Sequence, residues 1–463
     1  MNQPVPVTGQ LVDFCVEARR ASLDQDVTHR AVNAFVDTVG VAVAGAHEPV
    51  VTAMHSALRL TAGAGAATVL GTGRRVDGHG AAVVNAVAGH AMDFDDHLSD
   101  VNGHPSVVLV PPVLALGEEL GLPGEHLLRA YVIGHQVMCA VSAALPVRAH
   151  WTAGWHATET VGVLGVAAAA GTLLQLTTSE MHHAFGIAAS MAAGSRQNCG
   201  FSVKPVHAGM AAGNGILAAR LAAAGVDADP HQLEAPLGYF AVFGKDPDLT
   251  AVAPVLKERW TLSTRGLNVK AFPACYAVHP AGEAALEIRG RGLDPDSVTD
   301  VTVTVQPTGL TGPIHHAPVT ADQARFSMEY TVAAALADGR LTAGSFDDAQ
   351  VTRPALRRLM ATVRTAEAAA PPFGPPDFTR WYATVEVTTA DGAQHRARRG
   401  MPHGSAHDPL SDEELDTKFL DCLRSPGSVF DGPALLAALR DLPSARDTAQ
   451  LLGPARSRTA PTL

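Results

Sequence analysis

The chain has 463 residues, more than one simple core can hold, so two or three domains are expected. Lys and Arg number 34 against 45 Asp and Glu, a net charge of -11 with no basic block, which argues against nucleic acid and anionic membranes as partners. The five cysteines are scattered and lack a CxxC, so they give no sign of a disulfide framework or a zinc site and fit a reducing, cytoplasmic compartment.

In chain order, the N-terminal MNQPVPVTGQ lacks the basic start and apolar core of a signal peptide. A first long helix is expected with Thr28 as its cap, because Val32, Phe35, Val36 and Val39 recur at three and four. Helical runs follow near 48–62, 79–93, 105–120, 124–144, 156–175, 178–194 and 207–225, separated by Gly/Pro breaks such as GLPGE. The apolar run 161–176 is too short and lacks the basic flank of a membrane span, so it reads as a buried helix. Alanine and glycine are dense here and aromatics make up only 5% of the chain, which lets helix axes approach closely. Residues 1–262 therefore read as an all-helical domain. The GTGRR at Gly71 to Arg75 lacks the strand before it and the third glycine of a dinucleotide loop, and reads as a turn.

Near residue 263 the texture changes. SVTDVTVTVQ (297–306) alternates β-branched and polar residues, and 382–398 reads as two strands around Asp391-Gly392. Helices are expected at 327–337 and 353–368, with a loop at PPFGPP (371–376). Residues 263–399 thus form a smaller α+β domain, a candidate lid. Ser411 to Glu414 is a capping box, and a further helix is expected near 432–440. Residues 400–463 would pack back on the helical domain and make it discontinuous, with the last dozen residues disordered.

Chemistry concentrates where apolar patterns break. AMDFDDHLSDVNGHP (91–105) carries Asp93, Asp95, Asp96 and Asp100 with His97 and His104 at the end of a helical run, where burial and neighbouring charges move pKa values. Four more segments add His156 in GWHAT, Lys204 and His207 in VKPVH, Lys270 in VKAFP ahead of His279-Pro280, and Tyr330 in RFSMEY. Only five of the 34 basic residues are lysines, so Lys204 and Lys270, flanked by apolar residues and prolines, mark places where a planar guanidinium would not serve. DFDD also has the form of a terpene-cyclase acid, and the aspartate cluster that of a magnesium site. No second magnesium motif follows, and a cation-guiding cavity would need aromatic faces that are scarce here.

Taken together, HAMDFDDH with HPS, GWHATETVGVLG, SVKPVHAGMAAGNG, VKAFPACYAVHP, RFSMEYTVAAAL and DPLSDEELDTKF resemble the successive signatures of the MmgE/PrpD family over roughly residues 8–440. The resemblance implies a large helical domain with a smaller α+β lid, usually as a homodimer, working without metal or organic cofactor. It implies activities such as 2-methylcitrate dehydration, cis-aconitate decarboxylation or iminodisuccinate epimerisation. By position it implies a site of Asp93, His104, His156, Lys204, Lys270 and Tyr330. The KPVHAG block is closer to the decarboxylase and epimerase branches. Three departures stand out: His97 replaces the usual Thr of DFDDT, Ala157 follows His156 where proline is usual, and Cys275-Tyr276-Ala277 replaces a common Cys-Arg-Tyr.

The expected chemistry is that of a lyase on a small anionic polycarboxylate. His104 moves the proton, oriented directly or indirectly by Asp93, with His156 as second acid/base or leaving-group partner and Tyr330 at the site. Lys204 and Lys270 clamp carboxylates, with His97 and His207 also touching substrate. An epimerase on an iminodisuccinate-like diacid and a non-catalytic dimeric binding paralogue are the alternatives.

Overall fold

The computed structural model describes residues 5–453 apart from 61–62, 64, 369–380, 426 and 450. The PPFGPP loop, and the expected terminal disorder past Gly453, lie outside the described residues. The fold is mainly α with a smaller α+β part. One apolar core gathers residues from Val7 to Leu262 and again from Leu415 to Leu452, and a second gathers Phe272 to Ala397.

The first core is built on glycine-mediated helix contacts. A Cβ at Gly209 would stand 2.5 Å from Val87 Cγ2 and one at Gly213 2.6 Å from Val83 Cγ2, so only glycine lets helix Lys204–Ala223 lie this close to helix Gly78–Ala91. Because 209 meets 87 and 213 meets 83, the two run antiparallel. The start of one helix, Lys204, is thereby set beside the end of the other, where Asp93 follows. Helix Gly124–Ala144 is long and apolar enough to cross a membrane, yet 89% of its apolar window is buried against other helices.

The first long helix begins earlier than its apolar pattern predicts, at Gln25, because Asp24 and not Thr28 accepts the Val27 amide. Helix Asp412–Leu423 opens with the capping box of Ser411 and Glu414 and packs on helix Gln25–Gly45, where a Cβ at Gly40 would come 2.9 Å from Phe419. GTGRR forms the turn between two short antiparallel strands, β1 (Ala67–Thr68) and β2 (Arg75–Val76).

The second core lies under a four-stranded sheet. Its strands are β3 (Val298–Val305), β4 (Val363–Glu367), β5 (Ala383–Thr389) and β6 (Gln394–Arg399), in the order β4-β3-β5-β6. Strand β4 runs parallel to β3, and β5 and β6 complete the sheet antiparallel. The helix expected over 353–368 is split: Pro354–Met360 is helical, but Val363–Glu367 pairs with β3. Edge pairing outcompetes local propensity there. Helices His279–Gly290 and Met328–Asp338 cover the sheet.

Candidate active site

Helix Gly78–Ala91 ends in a loop whose first acidic residue, Asp93, takes a left-handed backbone conformation at φ +52°. Aspartate tolerates that region better than most residues, so its side chain stands at a helix C-terminus where glycine is the usual choice. The loop is zipped to the start of the smaller domain by paired backbone bonds between His97 and Asn268, 2.8 and 2.9 Å. That pairing carries Lys270, two residues on, under Asp93.

Asp93 is buried between two ammonium groups. Lys204 Nζ donates to Oδ1, and Lys270 Nζ lies 3.2 Å from Oδ2 and donates to the Asp93 carbonyl at 2.7 Å. Burial acts to raise the Asp93 carboxyl, but Lys204 and Lys270 override it and hold it well below the usual range. Lys204 is raised in turn, the attraction of Asp93 outweighing burial.

His104 caps helix Pro105–Leu120 next to this cluster. Its Nδ1 donates to the Asp96 carbonyl at 2.6 Å and lies 3.3 Å from Asp95 Oδ2, which also accepts from His90 Nδ1 at 2.8 Å. A donating Nδ1 leaves the lone pair on Nε2, which faces Asp93 Oδ1 at 4.0 Å. The direct contacts that orient the ring thus come from Asp95 and the Asp96 carbonyl at Nδ1, while Asp93 lies on the opposite, Nε2 side. Below them, Asp96 accepts from the Ser106 amide and hydroxyl, and burial pushes its carboxyl up to about 7. His156 completes the group, with Nδ1 3.0 Å from His207 Nδ1 and Nε2 3.0 Å from the Thr158 hydroxyl.

A cleft of about 380 Å³ opens over these groups at the seam between the two cores. Asp93, His97, His104, His156 and Lys204 line it, together with Tyr276, Phe326 and Trp381 of the smaller domain. His207 contacts it through His156. Two expected residues are placed elsewhere. Lys270 is fully buried behind Asp93, so it braces that carboxylate and does not clamp a ligand. Tyr330 belongs to the second core, its hydroxyl bonded to the Ser345 carbonyl and its ring edge-on to Phe346 at 5.6 Å; the aromatic of that segment in the cleft is Phe326, with Lys204 Nζ 5.1 Å above its ring. A helical period from Arg325 cannot tell the two aromatics apart, since both precede an apolar run.

Sequence reasoning missed His90 and Asp95 as partners of His104, and Lys418 altogether. Lys418 pairs with buried Asp37 at 2.7 Å and donates to the Phe94 carbonyl at 3.1 Å. Three of the chain's five lysines therefore converge on the Asp93-Phe94 corner. Lysine scarcity was the signal available for it.

His90, Asp93, Asp95 and His104 each offer a ligand atom within 4.8 Å of one another, and could in principle hold a metal ion. The donor set is unfavourable for one: Asp93 is committed to two ammonium groups, whose charges already balance Asp93 and Asp95 and would repel a cation.

The MmgE/PrpD N-terminal domain matches residues 9–251 and the MmgE/PrpD C-terminal domain residues 272–430. The chain belongs to the MmgE/PrpD family. It is 32% identical to human cis-aconitate decarboxylase over 73% of this chain and 71% of that protein, and 31% identical to the mouse enzyme over 73% and 70%. A cis-aconitate decarboxylase-like protein oryM of Aspergillus oryzae is 25% identical over 96% of both chains. Within this member of the family, the cleft sits where the two matched domains meet.

The site also predicts how the protein responds to acid. Burial pushes down the proton affinity of His90, His104 and His156, of His97, His135 and His279 to about 3, and of His207 to about 4. Their folded pKa values lie below the unfolded value near ~6.5, so the unfolded chain binds more protons and stability is lost as pH falls through that value. Five carboxyls raised by burial, Asp37, Glu48, Asp96, Glu159 and Glu283, act in the opposite sense. His55, His79 and His150 are lowered by burial as well, and His403 is raised, so ten groups against six leave a net loss of stability as pH falls. The thermal midpoint is expected to drop between pH 6.5 and pH 5; a flat or rising midpoint would mean that these histidines are not neutral.

Proposed function

We propose that the chain is a cofactor-independent lyase on a small polycarboxylate of the aconitate type, releasing carbon dioxide. What supports this reading most is His104, whose Nε2 lone pair faces the cleft beside a carboxylate braced by two lysines. The likeness to cis-aconitate decarboxylases points the same way. In the free protein the ring is neutral; a bound polyanion adds negative charge and raises its proton affinity, so substrate loads its own proton donor. The bond between a carboxylate and the saturated carbon then breaks and carbon dioxide leaves. The freed electron pair forms the new double bond, and the displaced π pair takes the proton from imidazolium at the carbon next to the remaining terminal carboxylate. Asp93 stabilises the imidazolium, and Lys204 lies where enolate-like charge develops. His156 is the second group placed to exchange a proton.

The reading includes a site without metal and a homodimer. Val203, just before the helix that begins at Lys204, and Met210 and Leu217 on it are all exposed and recur every seventh residue, an apolar stripe suited to a second copy.

The test offers cis-aconitate, citrate and iminodisuccinate in deuterated water, with and without a chelator, followed by NMR. The expected result is carbon dioxide release with one deuterium in the product, insensitive to the chelator. Water loss would make the enzyme a dehydratase, and deuterium wash-in with retained carbon an epimerase. Activity lost to chelation and restored by a metal would overturn the metal-free site.

A further inference from the structure

Fixed charges cancel at the inner end of the cleft. Asp93 is the sole carboxylate among the described lining residues; Lys204 and Lys270 hold it, and Asp95, beside His104, balances the second ammonium. Burial keeps the rings of His97, His104 and His156 neutral, so they add no charge in the free protein. A tricarboxylate therefore meets an interior of near-zero net charge, where each unpaired carboxylate is costly.

One cation at the mouth is uncommitted. Arg148 is exposed, lines the cleft, and finds no hydrogen-bonding or acidic partner for its guanidinium among the described residues. It belongs to the short helix Val147–Thr152, one turn before Trp151 and Thr152, which line the cleft with it. That helix is held in place by its buried residue, His150, whose Nδ1 donates to the Phe243 carbonyl at 2.9 Å and whose Nε2 lies 2.9 Å from the Thr160 hydroxyl. Thr160 ends the turn that His156 begins, so Arg148 is tied to the same element as a group of the site. Trp151 is fixed too: its N–H donates to the Thr311 hydroxyl at 3.2 Å, and Arg196 lies over its ring at 4.4 Å. The base of Arg148 is thus rigid, while its exposed end is free to turn.

The reaction decides which carboxylate an arginine here can hold. The departing carboxylate gives up its charge as carbon dioxide, so a cation on it would favour the ground state and slow the step. The terminal carboxylate shares the charge that grows at the carbon taking the proton, on the side of Lys204 and His104. Only the carboxylate on the inner alkene carbon keeps the same charge throughout.

Resting on the lyase reading above, we propose that Arg148 is a specificity-determining residue, whose guanidinium turns over the cleft mouth and pairs with that third carboxylate through two hydrogen bonds. Because the pair is the same in the ground state and the transition state, Arg148 sets affinity and not the rate of the chemical step. It favours a tricarboxylate over the dicarboxylate that lacks this one group.

The probes are cis-aconitate and (E)-glutaconate, the same acid with the inner carboxylate replaced by hydrogen, and the readouts are KM, kcat and the calorimetric Kd. Arg148→Gln should raise KM and Kd for cis-aconitate roughly tenfold, with kcat kept within about twofold. Arg148→Lys should recover part of that loss, since it keeps the charge without the planar fork. For (E)-glutaconate neither substitution should change KM or Kd by more than about twofold, so the two acids and the two side chains form a cycle that isolates the contact. Equal losses for both acids, or no loss for either, with cis-aconitate turned over, overturn the pairing and leave the lyase reading standing. If neither acid is turned over but Arg148→Gln weakens binding of cis-aconitate alone, the lyase reading falls and the pairing stands.

Discussion

Asp93→Asn is expected to destabilise the protein by roughly 3–5 kcal/mol, the cost of breaking a buried ion pair by removing one partner. The substitution is sterically mild, and asparagine is as tolerant as aspartate of the left-handed backbone that Asp93 adopts at φ +52°. What it removes is the charge that both Lys204 and Lys270 need. Lys270 is fully buried and would keep only the residue-93 carbonyl, and Lys204 would be left above the Phe326 ring. The loss should show as a lower thermal midpoint at neutral pH. Adding Lys204→Met removes one of the stranded charges, so the double variant should lose less than the sum of the single changes, with a coupling of roughly 0.5–3 kcal/mol. An Asp93→Asn protein with the wild-type midpoint would show that the lysines find other partners and that the Asp93 charge is not needed to keep them buried.

That double duty explains which parts of the site could be read in the sequence. His104, His156 and Lys204 stand at helix starts, where an apolar period breaks on a polar residue, and each of them lines the cleft. The mainly α fold with its smaller α+β part was legible for a related reason. Ala/Gly-rich helical runs and the alternation of Val298–Val305 carry opposite periods, 3.6 and 2. Partnership within the cluster was not legible. Lys270 looks like a second anion clamp in sequence because nothing local reveals that the His97–Asn268 backbone pairing delivers it beneath Asp93. Tyr330 and Phe326 are four residues apart and read as one helical turn, but Phe326 lies in the turn before helix Met328–Asp338 and lines the cleft, while Tyr330 lies in the first turn of that helix and joins the second core. Strand β4 was hidden because its residues, VRTAE, have no strong period and owe their pairing to the edge that β3 offers.

His104→Ala should lower kcat by roughly a hundredfold or more while leaving binding largely intact, since a positioned proton donor contributes about 10²–10⁴ to the rate. The cavity it leaves lies on the cleft side, and Asp95 keeps its bond from His90, so the fold should survive the change. The pH dependence separates this role from a merely structural one. Burial, ahead of every charge nearby, holds the free His104 ring well below its ordinary proton affinity, so the protonated fraction of the free enzyme falls about tenfold for each pH unit above that point. Because kcat/KM reports the free enzyme, it should fall with a slope near −1 as pH rises above the substrate's last ionisation. Because kcat reports the complex, in which the bound polyanion has raised the ring's proton affinity, it should stay level to higher pH before turning down. In His104→Ala the kcat/KM slope should vanish, leaving a slow, pH-independent residue of activity from Lys204 and His156. A variant with undiminished kcat, or one that keeps the wild-type slope, would move the proton-transfer role to His156, whose Nε2 is bonded to Thr158 and whose Nδ1 is shared with His207.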